Sequence, residues 1–198
     1  MHGVIIMSDK YIEIQRERFT QEKAGKVLSE FPRKEFFIKW ISEKIKNSIK
    51  SILLIGCSNL TEWQLCEKYI KQEKITAIDI CKYYQRIIEM DMHNITFPDN
   101  SFDLIIMSHS LEHCFSPYQV FQQLGRVIMD GGYIACECPI NYRPTKYDRF
   151  DFVGSRKLAD MMRIEMDSKI IACEDLKVKT DGNFCWTDNL KLIVQVTK

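Results

Sequence analysis

No stretch of this sequence approaches the ~20 apolar residues that a membrane helix needs. Its opening, Met1-His-Gly-Val-Ile-Ile-Met7, is too short for an export signal and lacks the basic flank of one. A cytoplasmic protein with no membrane partner is therefore expected. Charge of one sign is missing as well. The net charge is +1 over 198 residues, which gives no global electrostatic case for nucleic acid or an acidic surface. Internal repeats, low-complexity tracts and interdomain linkers are also lacking. One domain over 1–198 is expected, with an N-terminal helical segment (1–50) and a sheet core (51–198). Eight cysteines are present, but none forms a Cys-x-x-Cys pair. Without an export signal, reduced thiols are the default, and neither a disulfide nor a metal is expected. Cys136 and Cys138, two apart on an apolar run, read as small core residues on one face of a strand. Gly-x-Gly-x-x-Gly is absent after the first apolar run, which argues against a nicotinamide-dependent dehydrogenase.

What is there is a series of short apolar runs bounded by polar residues, the pattern of parallel strands buried on both faces. The runs predict strands over Ile52–Ile55, Lys74–Ile78, Arg86–Met90, Phe102–Met107 and Tyr133–Cys138. Gly56, Asp79 and Asp91 then fall at the carboxyl ends of the first three. In an open α/β sheet, ligands bind on that rim, at the switch point. A nucleoside-containing cofactor lying across three strand ends is the reading this supports. Between Asp79 and Arg86 there is too little chain for a crossover helix, so a loop or single turn must make that link.

Helices are expected around these strands. Ser8 or Asp9 caps a first one, with Ile12, Ile14, Phe19, Val27 and Leu28 as its apolar residues. Pro32 interrupts, and Arg33–Lys50 carries Phe36, Phe37, Trp40, Ile41 and Ile45 at helical spacing, with a lysine-rich face read as solvated. These two segments are expected to pack on the sheet or to lid the cleft. Thr61–Lys71 reads as a helix, and so does the stretch from Ser116-Pro117 to Ile128, with proline at the first helical position and serine as its cap. Asp130-Gly131-Gly132 reads as a turn, Pro139–Gly154 as a long polar-aromatic loop, and Ser155 as the cap of a helix to about Met166. Two last strands, Lys169–Lys179 and Leu190–Val196 with Asp181-Gly182 between them, predict an antiparallel hairpin closing the sheet.

The stretch Asp91-Met-His-Asn-Ile-Thr-Phe-Pro-Asp-Asn-Ser-Phe-Asp-Leu-Ile-Ile-Met-Ser-His-Ser-Leu-Glu-His113 resembles the region around strand 4 of class I S-adenosylmethionine-dependent methyltransferases. The spacing back to Asp79 and Gly56 fits, as does Leu124-Gly-Arg-Val-Ile-Met-Asp-Gly-Gly132, so the resemblance covers about residues 50–140. It implies an α/β, Rossmann-like doubly wound fold: a seven-stranded sheet, mostly parallel with an antiparallel last strand, and helices on both faces. The implied cofactor is S-adenosyl-L-methionine and the implied partner a small-molecule acceptor, with a homodimer also allowed. The resemblance makes Gly56, Cys57 and Ser58 the cofactor loop. It makes Asp79, followed by Ile80, the acid that accepts from both ribose hydroxyls. Asp91 is the acid that accepts from the adenine amino group, with Met92 on the ring, and Ser108 and His109 lie beside the reactive methyl. The loop departs from the family's acid-x-Gly-x-Gly-x-Gly: it reads Leu54-Ile-Gly56-Cys-Ser58-Asn-Leu60, without the acid and two of the glycines. That departure sustains a second reading, a methyltransferase-like binding or scaffold protein without turnover.

Methyl transfer from a sulfonium needs alignment and exclusion of water, and a base only when the acceptor must lose a proton. His109 and His113 are the catalytic candidates, with Glu112 between them, and loop orientation by hydrogen bonding is the other role open to His113. Tyr142, Arg143, Tyr147 and Arg149 are candidates for lining the acceptor pocket, and their two arginines favour an anionic or sugar-like acceptor.

Overall fold

A computed structural model describes residues 10–17, 31–57, 59–82, 84–176 and 188–198. The expected cap at Ser8 or Asp9, the apolar positions Phe19, Val27 and Leu28, Ser58 and the Asp181-Gly182 turn lie outside them. The described residues build one seven-stranded sheet in the order β3-β2-β1-β4-β5-β7-β6. Its strands are β1 (Ser51–Ile55), β2 (Lys74–Asp79), β3 (Ile87–Glu89), β4 (Phe102–Ser108), β5 (Ile128–Pro139), β6 (Ser168–Leu176) and β7 (Asn189–Val196). β1 to β5 run parallel, and β7 lies antiparallel between β5 and β6. The order turns back at β1 and β4, so the switch point lies at their carboxyl ends.

The helices are α1 (10–17), α2 (Phe31–Lys44), α3 (Thr61–Tyr69), α4 (Pro117–Val127) and α5 (Ser155–Met162). Period-2 alternation in β1 divides the core between the two faces. Leu53 and Ile55 pack with Phe121, Leu124 and Leu158 of α4 and α5, while Ile52 and Leu54 pack with Phe37, Ile41 and Leu65 of α2 and α3. In α4, Val120, Phe121, Leu124 and Val127 are all buried at helical spacing. Ser116 caps the helix through a bond accepted from the Gln119 N–H at 3.4 Å, with Pro117 in the first turn. Cys136 and Cys138 are buried in the same core, and the seven described cysteines are free thiols. Among the described residues no helix is long and apolar enough to cross a membrane.

Several boundaries differ from the sequence reading. The Asp130-Gly131-Gly132 turn is instead part of β5. The register jumps from Phe102↔Ile128 to Leu104↔Tyr133, and the extra residues form a bulge that Gly131 permits with φ +74°. Ser155 is not the cap of α5. Gly154 holds that position, and Asp175 of β6 accepts from the Ser155 N–H at 2.7 Å, a long-range partner that local sequence does not show. α5 stops at Met162, four residues short of Met166. α2 stops at Lys44, after which Ile45 and Ile49 remain in the core while the chain runs on toward β1. The lysine-rich face of α2 is not wholly solvated. Lys34 pairs with Glu62 at 2.6 Å and Arg33 with Glu137, all four largely buried.

Candidate active site

A cavity of about 180 Å³ opens at the switch point, over the carboxyl ends of β1, β2 and β4. Its wall includes eight of the ten residues expected there: Gly56, Asp79, Ile80, Asp91, Met92, Ser108, His109 and His113. Ser58 lies outside the described residues. Cys57 is not on the wall. Its side chain is 2% exposed and turned to the start of α3, where Sγ lies 2.8 Å from the Asn59 carbonyl and 3.8 Å from Glu62 Oε2.

Gly56 has φ +76°, and a Cβ there would stand 2.3 Å from Ser110 Cβ. The absent side chain therefore makes room for Ser110, whose hydroxyl donates to the Ile55 carbonyl at 2.9 Å. The protein's own side chain thus occupies that space, while Gly56 itself remains on the cavity wall. Leu60, the bulkiest departure in the loop, is not on the cavity wall and packs against the apolar cluster of α2 and α3. The amide of Thr61, at the start of α3, is capped by Asn59 Oδ1 at 2.9 Å.

Asp79 ends β2 and is 8% exposed. Burial pushes its carboxyl up to about 6, offset in part by the N–H of Cys81, which donates to Oδ1 at 2.9 Å, and by the His113 charge. Asp91 follows β3. Its Oδ1 accepts from the His93 backbone N–H at 2.9 Å and from the His93 ring Nδ1 at 2.6 Å. Met90 and Met92 flank it on the wall, soft apolar surface suited to a planar base. Two carboxylates that only accept when ionised, beside such surface, fit the hydroxyl and amino donors of an adenine nucleoside.

Past β4, His109 takes φ +52° and its amide donates to the Glu137 carbonyl at 2.8 Å. Burial first, then the positive charges of Arg33 and His113, hold its imidazole well below the usual histidine range. It is therefore neutral at pH 7. A short 3₁₀ turn (Leu111–His113) follows, and Glu112 Oε1 lies 3.7 Å from His109 Nδ1 and 3.9 Å from His113 Nε2. His113 Nδ1 is 2.9 Å from Asp148 Oδ1, so His113 ties the long loop to the site.

The N-terminal helices were expected to pack on the sheet or to lid the cleft, but the residues through which they do so were not named from sequence. Tyr11 and Gln15 of α1 and Arg33 and Lys34 of α2 face the cavity. Gln15 Nε2 donates to the carbonyls of His113 and Tyr147 at 3.3 and 3.2 Å, and α1 spans the opening in the way a lid would. Arg33 donates to Ser108 Oγ at 3.2 Å and to Glu137. Ser108, Glu137, Lys191 and Glu174 are register partners across β4, β5, β7 and β6, forming one polar row beneath α2. Lys191 Nζ makes no hydrogen bond among the described residues and lies 3.6 Å from the Phe36 ring centroid, while Trp40 Nε1 donates to Glu174 at 2.6 Å. By contrast, Tyr142, Arg143, Tyr147 and Arg149 are absent from the cavity wall. The loop folds on itself, Tyr142 bonding the Phe150 carbonyl at 2.5 Å, and the expectation of an anionic acceptor loses its support.

Comparison with known proteins agrees with this geometry. The sequence family described as "Methyltransferase domain" matches residues 53–136. A demethylmenaquinone methyltransferase of Listeria monocytogenes is 25% identical over 119 residues, 50% of each chain. The chain thus spans about half the length of the curated relatives it matches. A SAM-dependent methyltransferase of Archaeoglobus fulgidus superposes with TM-score 0.61 at 17% identity, over 84% of this chain and 94% of that one. The [4+2]-cyclase SpnF superposes with TM-score 0.65 at 13% identity, over 82% and 80%. Fold and match point the same way: residues 53–136 are similar to methyltransferase domains, and the sheet has the fold seen in SAM-dependent methyltransferases. The matched segment runs from β1 into β5.

Proposed function

We propose that this chain transfers a methyl group from S-adenosylmethionine to a small, polar, hydroxyl-bearing acceptor. The observation that carries the reading is one cavity walled by two carboxylates on the β2 and β3 rims and by a neutral imidazole on the β4 rim. When bound, the cofactor supplies an electrophilic methyl and its own leaving group. Asp79 would accept from the ribose hydroxyls and Asp91 from the adenine amino group. His109 on the β4 rim is the residue placed to take the acceptor's proton, with Glu112 Oε1 3.7 Å from its Nδ1. His113, tied to Asp148, closes the wall and keeps water out together with Tyr11 and Gln15. The polar lining near Arg33, Ser108 and Glu112 supports a polar acceptor over a lipid tail. Leu60 lies away from the cavity, which supports turnover over a binding protein with a blocked loop.

The test is calorimetric titration with S-adenosylmethionine and with S-adenosylhomocysteine. Saturable binding at micromolar ligand is expected for both. An absence of heat at millimolar concentrations from folded protein would refute the reading.

A further inference from the structure

His93, two residues past Asp91, is 2% exposed although imidazole is polar at both nitrogens. Both nitrogens are used. Nδ1 meets Asp91 Oδ1 at 2.6 Å, and Nε2 accepts from the Phe115 and Ser116 N–H groups at 3.1 and 3.4 Å. An Nε2 that accepts from backbone amides carries no proton, so the proton sits on Nδ1 and is donated to Asp91. The ring is fixed in every direction. It stacks on Phe115 with centroids 3.8 Å apart, takes the edge of Tyr11 at 5.3 Å, and its carbonyl accepts from Gln119 Nε2 at 3.1 Å. Asp91 Oδ1 receives both His93 donors, while Oδ2 makes no hydrogen bond among the described residues and the side chain faces the cavity.

We infer that His93 is a positioning residue for base recognition: by holding Oδ1 it fixes the plane of the Asp91 carboxylate and leaves Oδ2 to accept from the exocyclic amino group of adenine. This rests on the proposed cofactor and goes beyond it, because it assigns selectivity for an amino-bearing purine to a side chain that touches no ligand. Hypoxanthine carries a carbonyl where adenine carries the amino group, so a fixed carboxylate repels it. A carboxylate free to turn away discriminates less.

The experiment measures the affinity of the full chain for S-adenosylhomocysteine and for S-inosylhomocysteine by calorimetry. The wild-type protein is expected to prefer the adenine compound at least about tenfold, the size of one unmet buried acceptor. H93L is expected to bring the ratio to within about threefold of unity, and H93N, whose amide N–H replaces Nδ1–H, to keep it near the wild-type value. Should H93L not fold, H93Q stands in for it, since its amide nitrogen matches Nε2 rather than Nδ1 and the ratio is again expected to fall. Equal losses for both nucleosides at an unchanged ratio would mean a merely structural role and overturn the inference. A ratio that D91N lowers and both H93L and H93Q leave intact would also overturn it while leaving the cofactor reading standing. Wild-type protein that binds neither compound would overturn both.

Discussion

Replacing Asp79 by asparagine separates the cost of the site from its use. Asp79 is 8% exposed and its carboxyl is raised from the ordinary 3.8 to about 6. The difference corresponds to about 3 kcal/mol of destabilisation by the charged form at neutral pH. A group whose folded value is raised holds its proton more tightly when folded. Its unfavourable contribution is therefore full above pH 6 and disappears as pH falls toward 4. Asparagine keeps the Oδ1 acceptor for the Cys81 N–H and removes the charge, so D79N is expected to be more stable than wild type by about 2–3 kcal/mol at pH 7.5, with the gap narrowing to about 1 kcal/mol at pH 4.5. Binding moves the other way. The amide accepts at one atom only, and loss of a charge-assisted acceptor lowers cofactor affinity by about 1–3 kcal/mol. Urea unfolding across pH 4.5–7.5, paired with titration of S-adenosylhomocysteine at pH 7.5, reads both. A D79N protein that is less stable at every pH, or that binds as tightly as wild type, would refute the reasoning.

Other outcomes follow from the same geometry. Because His109 is neutral throughout the working range, the acidic limb of kcat/KM is expected to centre near pH 6, set by Asp79 and carried by KM; a limb carried by kcat would contradict this. H109Q is expected to lower kcat by about 10²-fold or more with little change in KM, in steady-state assays once an acceptor is in hand. G56A must relieve a Cβ–Cβ contact of 2.3 Å with Ser110 at a positive φ, and a loss of about 2 kcal/mol or more is expected by urea unfolding.

The strands were legible because central parallel strands are buried on both faces, which leaves continuous apolar runs such as Ile52–Ile55 and Leu104–Met107. The acids that punctuate those runs fall on the cavity rim for the same reason. Long-range partners were not legible. Arg33 reads as one more basic residue on a helix, and only folding sets it against Glu137, 104 positions away. The cap of α5 comes from Asp175, twenty residues downstream. That Gly56 makes room for Ser110 was not legible either, since the two meet only in the fold. His93 passed unnoticed since its one signal is proximity to Asp91, and its burial depends on Tyr11 and Phe115 from distant segments.

The polar row beneath α2 ties together parts of the chain that lie far apart in sequence. Glu174 and Trp40 are 134 residues apart and share a bond, and Lys191 between them has aromatic rings above and carboxylates on either side. Lifting α2 would hydrate charges on three strands at once, an all-or-nothing step. The helix and the far edge of the sheet are therefore expected to open together, and hydrogen exchange should find amide protons in α2 and β6 exchanging at a common rate.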